Sequence, residues 1–114
     1  MVHIISVRSL YEYMEMNPKT SDRLKAWITL VKACNWEKPQ DIVHTFGAKA
    51  VDILTRSCSR VVIDVKGNHI RVIAKYQFHP ALKMARLYIK WIGTHAAYDE
   101  ICKKNLQYEI EMFK

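Results

Sequence analysis

At Arg60 the spacing of the apolar residues changes from helical to alternating, and nothing else constrains the fold as tightly. Before that point Leu24, Trp27, Ile28, Val31 and Cys34 recur at i, i+3, i+4, i+7 and i+10, the stripe of an amphipathic helix. Arg23, Lys25, Thr29 and Lys32 take its opposite face. From Arg60 onward the period is two. Val61, Ile63 and Val65 alternate with Arg60, Val62 and Asp64, and Ile70, Val72, Ala74 and Tyr76 alternate with His69, Arg71, Ile73 and Lys75. Leu87, Ile89 and Trp91 then alternate with Arg86, Tyr88 and Lys90. Gly67-Asn68 between the first two runs is a two-residue hairpin signal, and residues 77–85, which hold His79-Pro80, read as a loop. Three strands in series joined by turns form an antiparallel meander.

The remaining elements fit around these. Val2 to Ile5 is a short β-branched run suited to an edge strand. Ser6 offers an N-cap, Leu10, Tyr13 and Met14 follow at helical spacing, and Asn17-Pro18 ends that helix. Ser21 and Asp22 open the next, so the two read as an αα-hairpin. The stretch 35–40 breaks the second helix, and Asp41 to Phe46 adds one more turn before Gly47. Gly93 closes the third strand, and Thr94 caps a last helix from His95 to about Leu106. The expected order is β-α-α-β-β-β-α in a single domain, 1–114. It is an α+β fold, a mostly antiparallel twisted sheet with the two N-terminal helices packed on one face and a C-terminal helix. The segment after Asn105 has mixed period, and pattern alone leaves it open between more helix and a packing segment.

Charge narrows the function. The chain has 114 residues with 18 lysines and arginines against 11 aspartates and glutamates, a net charge of +7. That excess on a small domain points to a polyanionic partner. Period-two geometry puts Ile70, Val72, Leu87, Ile89 and Trp91 on the face toward the helices and gathers Arg71, Lys75, Arg86, Lys90 and Tyr88 on the other. Cations there suit phosphates, and a tyrosine can stack on an unpaired base. We therefore take Lys66, Lys75, Arg86 and Tyr88 as candidate RNA contacts; the bland alternative is a solvated polar sheet face. Cys34, Cys58 and Cys102 are three, far apart and without a CxxC pair. No zinc site or disulfide framework is written there, and a reducing compartment is expected. No apolar run reaches the roughly 20 residues of a membrane span, and no basic-then-apolar leader opens the chain. A soluble, cytoplasmic protein is expected.

The segment from Asp64 to Ile101 is the most specific. It reads DVKGNHIRVIAKY, a connection, then LYIKWIGTHAAYDEI. The pairing of GNxxRxIA with YI[RK]xxGTHxxYD resembles the HigB toxins, a branch of the RelE-like mRNA interferases of bacterial toxin–antitoxin systems. Two early helices and the stretch Trp36-Glu37-Lys38-Pro39-Gln40-Asp41 agree with it, and the likeness spans nearly the whole chain. It implies a RelE-like fold and a toxin that cuts mRNA on the translating ribosome. It also implies neutralisation by a helix-turn-helix HigA antitoxin, with operator DNA bound only through the antitoxin complex. Asn68, Arg71, Lys90, His95, Tyr98 and Asp99 stand at the matched positions.

Those side chains suit RNA cleavage through the 2′-hydroxyl, which needs a base, a cation for the crowded phosphate and an acid for the leaving oxygen. Arg71, Lys90, His95 and Tyr98 are the candidate catalytic residues, and with side chains in all three roles no metal or other cofactor is expected. Arg71 and Lys90 would hold the phosphate. His95, of the side-chain type whose charge changes near neutral pH, would be base or acid. Tyr98 lies one turn beyond it, and Asp99 could set its tautomer. Each has a structural alternative: Arg71 pairing with Asp64, Lys90 solvated, His95 serving the helix start, Tyr98 packing in the core, Asp99 favouring the helix dipole, Asn68 forming the hairpin turn. Two departures from the family pattern stand out. Ala97 replaces the Glu of THAEYD, losing half of a capping box, and the 77–85 connection is longer than usual. A catalytically inactive RNA-binding or co-repressor module, a ribonuclease of free RNA and a pure protein-interaction domain are the competing readings.

Overall fold

The computed structural model describes residues 1–56, 58–65 and 70–113. Strand β1 (Val2–Ile5) leads to α1 (Val7–Met16), a short 3-10 turn (Pro18–Thr20), α2 (Ser21–Ala33) and α3 (Pro39–Phe46). Strands β2 (Val51–Ile53), β3 (Arg60–Val65), β4 (Ile70–His79) and β5 (Met84–Thr94) follow, and α4 (His95–Lys103) comes last. The five strands form one sheet in the order β1-β5-β4-β3-β2. β1 runs parallel to β5, and every other pairing is antiparallel. The α+β class, the edge strand and the meander are as the sequence predicts. The Gly67-Asn68 turn, and Lys66 with it, lie outside the described residues. No described helix is long and apolar enough to cross a membrane.

Helices α1, α2 and α3 bury Leu10, Met14, Leu24, Trp27, Ile28, Val31 and Ile42 against one face of the sheet. That face presents Val61, Ile63, Val65, Ile70, Val72, Leu87 and Ile89, each almost wholly out of water. Continuous burial of aliphatic side chains is the main driving force here.

Several local features differ from expectation. Ser6 does not cap α1 with its side chain; it takes a left-handed turn, φ 73°, and its carbonyl accepts from the Ser9 N–H at 2.9 Å. Helix α3 begins at Pro39 rather than Asp41, because proline suits a first helical position. The Asp41 carboxylate accepts from the backbone N–H groups of Glu37 at 2.8 Å and Lys38 at 3.2 Å, and these bonds hold its acidity below the usual carboxylate range. The expected loop 77–85 is mostly strand. β4 runs to His79 and β5 starts at Met84, with a 3-10 turn at Pro80–Leu82 between them. Strand β2 was not expected at all.

The largest correction concerns Trp91. Ala74 pairs with Ile89 but Ile73 pairs with Trp91, so Lys90 is an extra residue, a β-bulge. A bulge resets parity. Trp91 therefore turns away from α1 and α2, and Ile92 takes the inward place. On the outer face Trp91 meets Val62, Ile73 and Leu54, and α4 covers them with Tyr98 and Ile101. The helices are thus not all on one side: α4 and the segment after it lie on the face expected to be open.

Candidate active site

Strand register arranges the outer face in three rows. At one end Asp64, Arg71 and Gly93 stand side by side on β3, β4 and β5. The middle row is Val62, Ile73 and Trp91, with Asp52 beside Val62 on β2. The far row is Arg60, Lys75 and Tyr88. Four residues of β4 separate Arg71 from Lys75, about 13 Å at ~3.3 Å per residue.

The first row becomes a site because α4 starts directly above it. Thr94 caps the helix, its hydroxyl accepting from the Ala97 N–H at 3.1 Å. This fixes His95 in the first turn, and its Nε2 lies 2.8 Å from Asp64 Oδ1. Both side chains are about a third exposed. Asp64, not Asp99, is thus the carboxylate on the imidazole; Asp99 points into solvent on the outer side of α4. One turn on, Tyr98 is buried, and the Arg71 guanidinium lies over its ring, 5.0 Å from the centroid. Burial pushes the Tyr98 phenol well above its ordinary acidity range. A hydrogen bond with Cys102 and the negative charge of Asp52 act the same way, and Arg71 opposes them. Tyr98 therefore stays protonated, a donor and never an anion near neutral pH.

Beside them is a cleft of about 360 Å³, lined by Lys49, Asp52, Val62, Asp64, Arg71 and Tyr98 among others. With His95 held on Asp64 at its edge, the site combines a carboxylate-held imidazole, a guanidinium braced on an aromatic ring and a phenol. These groups can remove a proton, hold an anion and supply a hydrogen bond.

Glycine is required at position 93. A Cβ there would come within 2.5 Å of the Trp91 indole, which lies across it. Trp91 in turn packs on Tyr98, ring centroids 6.1 Å apart. The middle row is thus an apolar partition between the cleft and the far row.

Lys90 lies on the other side of that partition. It lines a second groove of about 420 Å³ with Ser59, Lys75, Tyr76, Gln77 and Tyr88. Lys90 Nζ is 5.8 Å from the Tyr88 ring centroid and 2.9 Å from Glu111 Oε1. The Tyr88 hydroxyl donates to Gln77 Oε1 at 3.2 Å, and Arg86 follows opposite Gln77. The structure thus brings Arg71, His95 and Tyr98 together, and separately brings together Lys75, Tyr88 and Lys90. Asn68 and Lys66 fall outside the described residues.

Sequence reasoning missed Asp52 and Lys49, because a three-residue strand leaves almost no periodic signal. It also missed Arg60. This arginine is only 5% exposed and donates to the carbonyls of Gln107 at 3.3 Å and Ile110 at 2.8 Å. It pins the C-terminal segment onto the sheet.

Comparison with known proteins agrees with these observations. A family model described as HigB_toxin, RelE-like toxic component of a toxin–antitoxin system, matches residues 20–101. The chain is also similar to the mRNA interferase HigB of Escherichia coli O6:H1 (strain CFT073), with 28% identity over 102 residues. That alignment covers 90% of this chain and 93% of the relative.

Proposed function

The chain belongs to the HigB family, the RelE-like toxic component of a toxin–antitoxin system, and on that premise we propose that it is an mRNA interferase, an endoribonuclease acting on the translating ribosome. The observation that carries this reading is the His95–Asp64 contact at 2.8 Å beside Arg71 over Tyr98. In the proposed reaction Asp64 holds the imidazole with one ring nitrogen toward the substrate. His95 takes the proton of the ribose 2′-hydroxyl, and the oxygen attacks the adjacent phosphorus. The phosphorus–5′-oxygen bond breaks, leaving a 2′,3′-cyclic phosphate. The leaving oxygen takes a proton from water and departs as a 5′-hydroxyl, while Tyr98 stays neutral and its ring braces Arg71. Arg71 carries the charge that builds on the phosphate, as a two-pronged donor. Side chains and water fill every role, so the reaction as drawn calls for no metal.

In this reading Lys75, Arg86, Tyr88 and Lys90 grip the flanking RNA, by phosphate contact and base stacking. A HigA-like helix-turn-helix antitoxin neutralises the toxin, and the complex works in the cytoplasm. The net charge of +7 suits a ribosomal partner rich in phosphate.

Primer extension on a reporter mRNA in a reconstituted translation system, with and without ribosomes, tests this. Cuts in frame with codons, present only during translation, are expected. Cuts on free RNA would make the protein a general ribonuclease. No cuts from folded, antitoxin-free protein would leave a binding or co-repressor module.

A further inference from the structure

The C-terminal segment, 106–113, lies across the outer face, and the Glu111 carboxylate meets Lys90 there. Three backbone contacts hold it. Arg60 donates to the carbonyls of Gln107 and Ile110, and the Met112 N–H donates to the Lys90 carbonyl at 2.7 Å. Glu111 sits between two of these anchors, and its Oε1 is 2.9 Å from Lys90 Nζ.

We propose that Glu111 is a tethered phosphate mimic: it occupies a second phosphate subsite at Lys90, which an RNA strand must claim by displacing it. The proposal rests on the RNA-cleaving reading of the cleft and adds to it a place and a competitor for the flanking strand. None of the three backbone anchors uses the Glu111 side chain, so exchanging its carboxylate at Lys90 leaves those anchors in place. Lys90, with only 17% of its side chain exposed, is screened less from Glu111 than a surface lysine would be. Carboxylate and phosphodiester each carry one negative charge, so the exchange costs Lys90 no net neutralisation. Tyr88 and Lys75 in the same groove give the arriving nucleotide a ring to stack on and a second cation.

A salt signature follows. A phosphate that pairs with Lys90 sheds a cation from the RNA, but the displaced Glu111 carboxylate takes one up, so the net release is near zero. Without the carboxylate, the release is not offset. Binding of a short 2′-O-methyl oligoribonucleotide, which lacks the attacking hydroxyl, would be measured across a salt series. Glu111→Gln should tighten binding roughly two- to fivefold at low salt and steepen the log–log salt slope by about 0.7, the single-strand value for one phosphate. Glu100→Gln removes the same charge from an exposed pair with Lys103 on α4 and should leave the slope unchanged. In a Lys90→Gln background, Glu111→Gln should lose its effect. Equal shifts for Glu111→Gln and Glu100→Gln, or an effect that survives without Lys90, would overturn the proposal. Wild-type protein showing no salt-dependent RNA binding would overturn the RNA reading with it, whereas normal binding that ignores Glu111→Gln would overturn the mimic alone.

Discussion

The two faces of the sheet solve different problems. The inner face is a continuous aliphatic surface buried under α1, α2 and α3, regular in period and nearly free of polar atoms. The outer face is broken into rows: a polar cleft, an apolar partition built on Trp91, and a basic groove with a strap across it. A surface that only stabilises can repeat one pattern. A surface that must hold charged groups beside an aromatic donor needs a bulge, a glycine and a buried arginine to interrupt the pattern.

Core truncation should separate the faces most sharply. Leu87 is wholly buried on the inner face, and Leu87→Ala should cost about 2–5 kcal/mol of unfolding free energy by denaturant titration. His95 is about a third exposed, so His95→Ala should move stability by much less in the same assay. A stability loss for His95→Ala as large as for Leu87→Ala would erase the distinction.

Gly93→Ala sharpens it from the other side. The new methyl group would strike the Trp91 ring, and overpacking of this kind costs roughly 1–3 kcal/mol. Because Trp91 braces Tyr98, cleavage should fall as well. Activity and thermal stability measured on one preparation would show both losses together.

The smallest effect is on the alkaline side. Tyr98, Tyr13 and Tyr76 are all raised above their ordinary value of 10.0 by burial. A raised tyrosine holds its proton in the folded state after the unfolded chain has lost it. Its contribution is therefore complete below that value and is lost as pH rises past it. Tyr98→Phe should flatten the fall in stability above about pH 10, leaving the part due to Tyr13 and Tyr76. An unchanged alkaline limb would mean that Tyr98 is not desolvated as described.

The contrast between the faces also explains what was legible in the sequence. Helix stripes and strand alternation are properties of the inner face, so α2, the meander and most of the core follow from counting. The parity slip at Lys90 escapes counting, because one unpaired residue inverts everything after it. Its only trace is Trp91-Ile92, two adjacent large apolar residues in an otherwise alternating strand. The far end of β4 left a trace in Tyr76 and Phe78, which continue the period of two. Arg71, His95 and Tyr98 were visible in the motif, and Asp64 as a neighbour of Arg71, but not Asp64 as the carboxylate on His95. Asp64 lies 31 residues before His95, and only strand register brings the two together. The C-terminal segment has no period because the Arg60 side chain holds it by backbone carbonyls, and carbonyls leave no mark on residue type.

The central claim is a division of labour: chemistry in the cleft around His95, grip in the groove around Lys90. It is tested most directly by single-turnover cleavage at saturating RNA, on the ribosome if primer extension shows that it is needed. His95→Ala would be compared there with Lys90→Ala. His95→Ala should slow the cleavage step by about 10²–10⁴-fold, the usual worth of a positioned proton-transfer group. Lys90→Ala should leave that step within a few-fold of wild type and raise only the RNA concentration required. A cleavage step slowed as severely by Lys90→Ala as by His95→Ala would contradict the account, placing Lys90 among the reacting groups across the partition that separates them here.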